Sequence, residues 1–190
     1  MTPRELLDIL HVAERLKDAT RHCDTSGGRR ESVADHSWRL ALMAFFLRDE
    51  FPEADMDKVV RMCLIHDLGE AFTGDIPSFL KTQADEQREE DLLAAWVASL
   101  PAPYAEELDA LYQEMAERKT LEARIYKALD GLEAVIQHNE SDLQSWSENE
   151  YELNLVYCED RVGFSPFLTA LRRAMREDTE KKLREGGVEL

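Results

Sequence analysis

Apolar residues recur along this chain at the spacing of amphipathic helices. At ~100° of rotation per residue, seven stretches each gather apolar side chains on one face. The first opens at Leu6, Leu7 and Leu10, and the others span residues 32–50, 56–69, 84–99, 104–117, 120–139 and 164–185. No sustained alternation of apolar and polar residues predicts a strand. The pattern predicts an all-α fold, and 190 residues suffice for one compact domain with a sizeable core.

The helix predicted over residues 56–69 carries a carboxylate toward the core. Its apolar face is lined by Met56, Val60, Cys63 and Leu64. The same angular count places Asp67, the neighbour of His66, in the middle of that face. Burying an ionised carboxylate is costly unless it is paired with a cation or a metal ion, and His with Asp is a ligand set that Zn, Mn, Fe, Co or Mg accepts. A hydrogen-bonded pair at a helix end is the alternative interpretation.

Further ligands would have to come from other helices. His36 lies within the apolar sector of the 32–50 helix, where a lone histidine is more often a satisfied core residue than a ligand. Asp130 lies off the main apolar stripe of the 120–139 helix, on a second face with Ala123 and Tyr126. Spacing alone does not single out Asp130. Glu133 is either a hydrogen-bond partner of a ligand or a helix-surface residue.

The order of His36, His66-Asp67 and Asp130 resembles that of the HD-domain metal-dependent phosphohydrolases. Segments 31–39, 66–77, 127–134 and 149–157 are similar to the branch that contains the bacterial 5′-deoxynucleotidases and their eukaryotic HD-domain-containing relatives. The resemblance covers roughly residues 5–180. It implies an HD-domain helical bundle, with residues 1–190 as a single HD domain and a motif core at about 31–134.

The resemblance also implies a metal centre with catalytic carboxylates beside it. The ligands of one divalent ion (Mn, Co, Mg, Zn, Fe or Ni) would be His36, His66, Asp67 and Asp130. Glu70 and Asp75 match residues that take part in catalysis, with Asp75 orienting the attacking water and Glu70 acting as an acid/base or positioning group. A solvated carboxylate and a turn residue are the competing interpretations. No histidine lies between Asp67 and Gln137, which favours a mononuclear site over a dinuclear one.

A phosphate group needs basic residues near it, and several lie in the segment before His36, the first proposed ligand. They are Lys17, Arg21, Arg29 and Arg30, around the turn at Gly27 and Gly28. The resemblance gives Arg21 the position of a phosphate-binding arginine. In the deoxynucleotidases a tryptophan follows and helps to select the sugar, whereas His22 follows here. Arg21 and His22 are therefore the candidate substrate-binding residues, and the departure at His22 leaves deoxyribose preference open.

The amino-acid composition limits the classes of molecule that the protein is expected to bind. Lys and Arg number 23 against 40 Asp and Glu, for a formal charge of −17, which repels nucleic-acid backbones and anionic membranes. This balance favours a small phosphorylated substrate over a polymer. Three widely spaced cysteines form no metal motif and are typical of a reducing cytoplasm, and no signal peptide or membrane span is visible.

The sequence thus predicts a cytoplasmic enzyme that cleaves the phosphomonoester of nucleoside, and by resemblance deoxynucleoside, 5′-monophosphates to nucleoside and phosphate. The resemblance also implies a homodimer, and Trp38 is expected in the core or at an interface. Three alternatives stay open: an HD hydrolase of another nucleotide or small phosphate ester, a non-catalytic metal- and nucleotide-binding protein, and a purely structural helical bundle.

Overall fold

The structure, a computed structural model, describes residues 1–189. These residues form ten α-helices, three short 3-10 helices and one two-stranded sheet. The longer helices are α1 Pro3–Glu14, α2 Val33–Phe46, α3 Met56–Ile65, α5 Gln83–Ala98, α6 Tyr104–Glu117, α7 Leu121–Glu140, α8 Glu148–Val156 and α10 Pro166–Glu185. Two single-turn helices are α4 Glu70–Thr73 and α9 Glu159–Val162. No helix among these residues is long and apolar enough to cross a membrane.

Local sequence explains where several helices begin. Four of them start at a capping box, in which a hydroxyl side chain and an acidic side chain three residues later satisfy free backbone N–H groups. These pairs are Thr2 with Glu5, Ser32 with Asp35, Thr82 with Asp85 and Ser147 with Glu150. Helices α1 and α10 also carry proline in the first turn, where its missing N–H costs nothing.

Helix α7 runs through the centre of the bundle and packs against α2, α3, α6 and α10. Its fully buried Ile125, Leu129 and Leu132 meet residues such as Leu40 of α2 and Met62 of α3 in one apolar core. The segment at Cys158 packs closely against α7 at Gly131. A Cβ atom on residue 131 would lie 2.7 Å from the Cβ of Cys158. The prediction of an all-α fold is confirmed, apart from the small sheet.

That sheet is an antiparallel hairpin of β1 Thr20–Asp24 and β2 Arg30–Ser32, which pairs Thr20 with Ser32. Gly28 in its turn has a φ of 79°, a backbone conformation that glycine adopts without steric cost. Gln137 of α7 donates a hydrogen bond to the Asp24 carbonyl oxygen at 2.7 Å, which holds the hairpin on the bundle. The expectation of no strand is wrong here, because the strands are too short to show alternation.

The apolar face expected for residues 56–69 is also wrong in detail. Helix α3 ends at Ile65, and its buried residues are Met56, Val59, Met62 and Cys63. Leu64 is exposed, and Asp67 follows the helix in a turn. A helical angular count does not apply beyond Ile65, because the chain forms a turn there. Helix α8 and the single turns α4 and α9 were not predicted as helices.

Candidate metal centre

His36 is buried on the first turns of α2, with each ring nitrogen facing a different group. Its Nδ1 makes a short hydrogen bond to the carboxylate of Glu133, which is itself fully buried on α7. Arg39 donates from Nε to the other Glu133 oxygen at 2.6 Å. The helix-surface interpretation of Glu133 is therefore wrong, and its carboxylate turns His36 Nε2 toward the centre of the site.

His66 occupies the C-terminal end of α3 and is oriented in the same manner. Its Nδ1 donates to the Cys63 carbonyl oxygen at 2.9 Å, so that Nε2 is the free nitrogen. The Nε2 atoms of His36 and His66 approach to 3.2 Å. The ring of Tyr126 packs edge-on against His66.

Two carboxylates complete this group. Asp67 Oδ2 lies 2.9 Å from His66 Nε2, and Asp130 Oδ1 lies 3.3 Å from His36 Nε2 and 3.6 Å from His66 Nε2. The structure thus brings the four predicted ligand residues together, from α2, the end of α3 and α7. Donor atoms of His36, His66 and Asp67 all lie within 4.8 Å of one another.

The donor set fits a divalent cation. Both Nδ1 atoms are engaged, so two Nε2 lone pairs and two carboxylates face one another, and a cation satisfies all four at once. Without a cation, protons bound to the two imidazole rings supply the positive charge that the carboxylates require. Burial lowers the pKa of His66, but the Asp67 and Asp130 carboxylates outweigh it and raise the pKa to about 10. Burial raises the pKa of Asp67, but the two imidazoles outweigh it and lower the pKa to about 2.

A cavity of about 290 Å³ opens beside these residues, and Asp67, Asp130, Glu70 and Asp75 all line it. Glu70, the first residue of α4, is buried, so a fully solvated carboxylate does not describe it. Burial and the charges of Asp67 and Asp75 raise the pKa of Glu70 to about 9. Burial also raises the pKa of Asp75.

Arg21 lies on β1 and reaches the same cavity. Its Nε is 3.0 Å from Glu31 Oε2 and its Nη1 is 3.8 Å from Asp67 Oδ2. Glu31 is buried on β2, where it also accepts a hydrogen bond from the Cys23 thiol at 3.2 Å. His22, the next residue on the same strand, also lines the cavity.

Sequence reasoning missed several polar residues around the cavity. Lys127 donates to Asp130 Oδ2 at 2.7 Å, and its position three residues before Asp130 on one helix was the available signal. Lys81 lines the cavity while bonded to Glu89 at 2.8 Å, a pairing across a loop that no local pattern reveals. Glu31 opens the segment 31–39, and no local pattern there indicates its contact with Arg21.

Comparison with known proteins agrees with this site. Residues 13–166 match the model of the HD-domain family, and the chain belongs to the HD-domain family of metal-dependent phosphohydrolases. Human 5′-deoxynucleotidase HDDC2 is 33% identical over 141 residues, covering 72% of this chain and 68% of the human protein. The Dictyostelium discoideum protein of the same name is 30% identical over 184 residues, covering 90% and 97%.

A solved structure described as a predicted metal-dependent phosphohydrolase from Magnetospirillum magnetotacticum MS-1 superposes with a TM-score of 0.80. It is 29% identical in sequence, and the match covers 98% of both chains. The predicted resemblance and fold class are confirmed by these matches.

Proposed function

We propose that this protein hydrolyses nucleoside 5′-monophosphates, deoxynucleotides among them, to nucleoside and phosphate. The observation that carries the proposal is the convergence of His36, His66, Asp67 and Asp130 beside a cavity. The two aspartates line this cavity together with Glu70, Asp75 and Arg21. The name 5′-deoxynucleotidase, carried by relatives 30–33% identical to this chain, supports the substrate class.

The same four residues are proposed to hold one divalent ion, which could be Mn, Co, Mg, Zn, Fe or Ni. When bound, such an ion polarises a phosphoryl oxygen and lowers the pKa of water. The orientation of His36 and His66 supports this assignment, since Nδ1 of each ring is held by an acceptor and Nε2 faces the carboxylates of Asp67 and Asp130.

The chain's own residues account for the remaining tasks. Arg21 forms an ion pair with Glu31 through Nε and lines the cavity, where its guanidinium group is proposed to bind the phosphate dianion. Lys81 and Lys127 add positive charge along the cavity. Asp75 orients the attacking water. Glu70 is proposed as the acid/base group: burial raises its pKa and favours the protonated form, which can give its proton to the departing oxygen.

The test is inorganic phosphate release from ribo- and deoxynucleoside 5′-monophosphates, with Mn, Co, Mg or Zn added to stripped protein. Asp67→Asn should bind metal weakly and lose at least ~100-fold in rate, since it removes a charged donor. Asp57→Asn, an exposed aspartate on α3, is the matched control and should behave as wild type.

Other results would redirect the assignment. Metal binding without phosphate release from any nucleotide would favour a different small phosphate ester or a non-catalytic nucleotide-binding protein. Absence of metal binding would contradict the proposal. Equal rates on ribo- and deoxynucleotides would show that His22, in place of tryptophan, relaxes the choice of sugar.

We further propose a homodimer of a single-domain chain. Trp38, Leu42 and Phe45 follow one another along α2 at helical spacing and are exposed, together with the adjacent Phe46. An exposed apolar strip of this kind marks an interaction site, and the charge of −17 disfavours nucleic acid or an anionic membrane as its partner. All three cysteines are free and buried, which supports a reducing compartment such as the cytoplasm.

A further inference from the structure

One side of the cavity is formed by helix α8, which plays no part in holding the metal ligands. Its residues Glu150, Leu153 and Asn154 line the cavity at helical spacing, and so does Tyr157, the residue that follows the helix. His22 and Phe79 line the adjoining surface, with their rings edge to face at 5.6 Å. We call these six residues the α8 wall.

The α8 wall is fixed in place from behind. The buried Glu150 accepts hydrogen bonds from His138 Nε2 at 2.8 Å and from the Ser147 hydroxyl at 2.7 Å. The buried Arg172 of α10 donates to the backbone carbonyls of Asn154 at 2.9 Å and of Tyr157 at 2.8 Å. These bonds prevent α8 from rotating its side chains toward solvent.

Within this fixed wall, two nitrogen atoms have no partner. The Asn154 side chain is 4% exposed, and its amide Nδ2 makes no hydrogen bond within residues 1–189. His22 Nε2 is also buried without a hydrogen bond, since Glu150 Oε2 stands 3.4 Å away outside bonding geometry. A buried amide donor without an acceptor is unfavourable, so its presence at a cavity indicates that a ligand supplies the acceptor.

We propose that the α8 wall is the subsite for the nucleoside leaving group, and that Asn154 Nδ2 donates a hydrogen bond to it. The acceptor is an oxygen or ring nitrogen, carried by the base or the sugar, and His22 makes a second polar contact beside it. This inference rests on the proposed nucleotidase function. It separates the cavity into a phosphate end at Asp67 and Arg21 and a recognition end at α8.

Asn154→Leu tests the subsite, because leucine has the same number of side-chain heavy atoms as asparagine, branched at the same carbon, and no hydrogen-bond donor. The kcat/KM for nucleoside 5′-monophosphates should fall about tenfold, the effect of losing one buried hydrogen bond. Inhibition by inorganic phosphate should stay unchanged, because phosphate does not reach α8. Asn149→Leu, exposed on the same helix, is the control and should match wild type in both measurements.

A second substrate identifies the group that accepts the hydrogen bond, and a second variant serves as a substitute if the first does not fold. With 2-deoxyribose 5-phosphate as substrate, a contact to the base predicts no loss in Asn154→Leu, whereas a contact to the sugar predicts the same tenfold loss. Asn154→Ala replaces the leucine variant if circular dichroism shows that the latter does not fold.

The inference is overturned if Asn154→Leu and Asn149→Leu hydrolyse nucleotides equally, or if phosphate inhibition weakens together with kcat/KM. If wild type hydrolyses no nucleotide, the proposed function fails separately. Calorimetric binding of deoxyadenosine, thymidine, deoxycytidine and deoxyguanosine then decides the subsite. Weaker binding to Asn154→Leu than to Asn149→Leu supports it, and equal or absent binding contradicts it.

Discussion

At the scale of single residues, the centre depends on which nitrogen each histidine presents. His36 is held at Nδ1 by Glu133, and His66 is held at Nδ1 by a backbone carbonyl. These two hydrogen-bond partners differ in one respect. The Glu133 carboxylate belongs to a side chain and can be replaced by mutation, whereas the Cys63 carbonyl belongs to the backbone and cannot. Glu133 is therefore the residue through which the orientation of a ligand can be tested without touching the ligand.

Glu133→Gln should weaken metal binding by about 10- to 100-fold, since the amide no longer supplies the charge that orients His36 and raises its basicity. The measurement is competition with a chromophoric chelator on stripped protein. Glu140→Gln is a suitable control, because Glu140 lies on the same helix and also pairs with Arg39, at 2.6 Å. Equal metal affinity in both variants would show that Glu133 has no orienting role.

Sequence could predict residues that carry a motif but not those that reach the site across the fold. His36 was recognisable from its apolar sector and its place before His66-Asp67. Asp67 was singled out through a helix face that ends two residues earlier, so the conclusion rested on the motif more than on the geometry. Lys81 and Asn154 depend on how α5 and α8 pack, and this information is not local.

At the scale of elements, α8 connects the substrate cavity to the stability of the fold. Glu150 caps its N-terminus and also accepts from His138 on α7. Burial raises the pKa of Glu150, but hydrogen bonds from His138 and Ser147 outweigh it and hold the pKa at about 2, against an ordinary value of 4.5. Its ionised form therefore stabilises the folded state above pH 4.5, and this contribution is lost as the pH falls toward 2.

Glu150→Gln should accordingly lower the free energy of unfolding by about 2 kcal/mol at pH 7, a typical value for hydrogen bonds to a buried charge. The difference from wild type should shrink at pH 3. Urea unfolding at pH 7, 4.5 and 3 gives the comparison. Glu148→Gln, exposed in the same first turn, should show no such trend, and a wild-type advantage that persists unchanged at pH 3 would refute the assignment.

Elements with a long apolar period were predictable, and the short ones were not. Helix α6 occupies the predicted residues 104–117, and α7 and α10 lie within two residues of their predicted bounds. The β1–β2 hairpin depends on contacts made elsewhere, among them the hydrogen bond from Gln137 to Asp24. Strands of five and three residues do not carry enough pattern to predict such pairing.

At the scale of the whole molecule, the apolar strip on α2 predicts the oligomeric state. Trp38 is 64% exposed, so a core position is excluded and an interface remains the expectation. Trp38→Glu should convert the protein from a dimer to a monomer of 21.9 kDa, because it places a charge within the apolar strip that the proposed dimer buries.

Light scattering coupled to size-exclusion chromatography measures this mass directly. Leu92→Glu, which alters an exposed leucine on α5, should leave the dimer intact. A wild-type protein that elutes as a monomer at micromolar concentration would rule out the homodimer.

Helix α7 supplies Lys127, Asp130 and Glu133 within two turns, and Gly131 between them sits against Cys158 without room for a Cβ atom. One inserted or deleted residue before position 127 would turn all three side chains by ~100° relative to their partners. Homologues that preserve this chemistry should therefore vary in length at the hairpin turn around Gly27, which lies outside the cavity, while the number of residues in α7 stays fixed. A homologue with an insertion or deletion in α7 should have lost the catalytic activity.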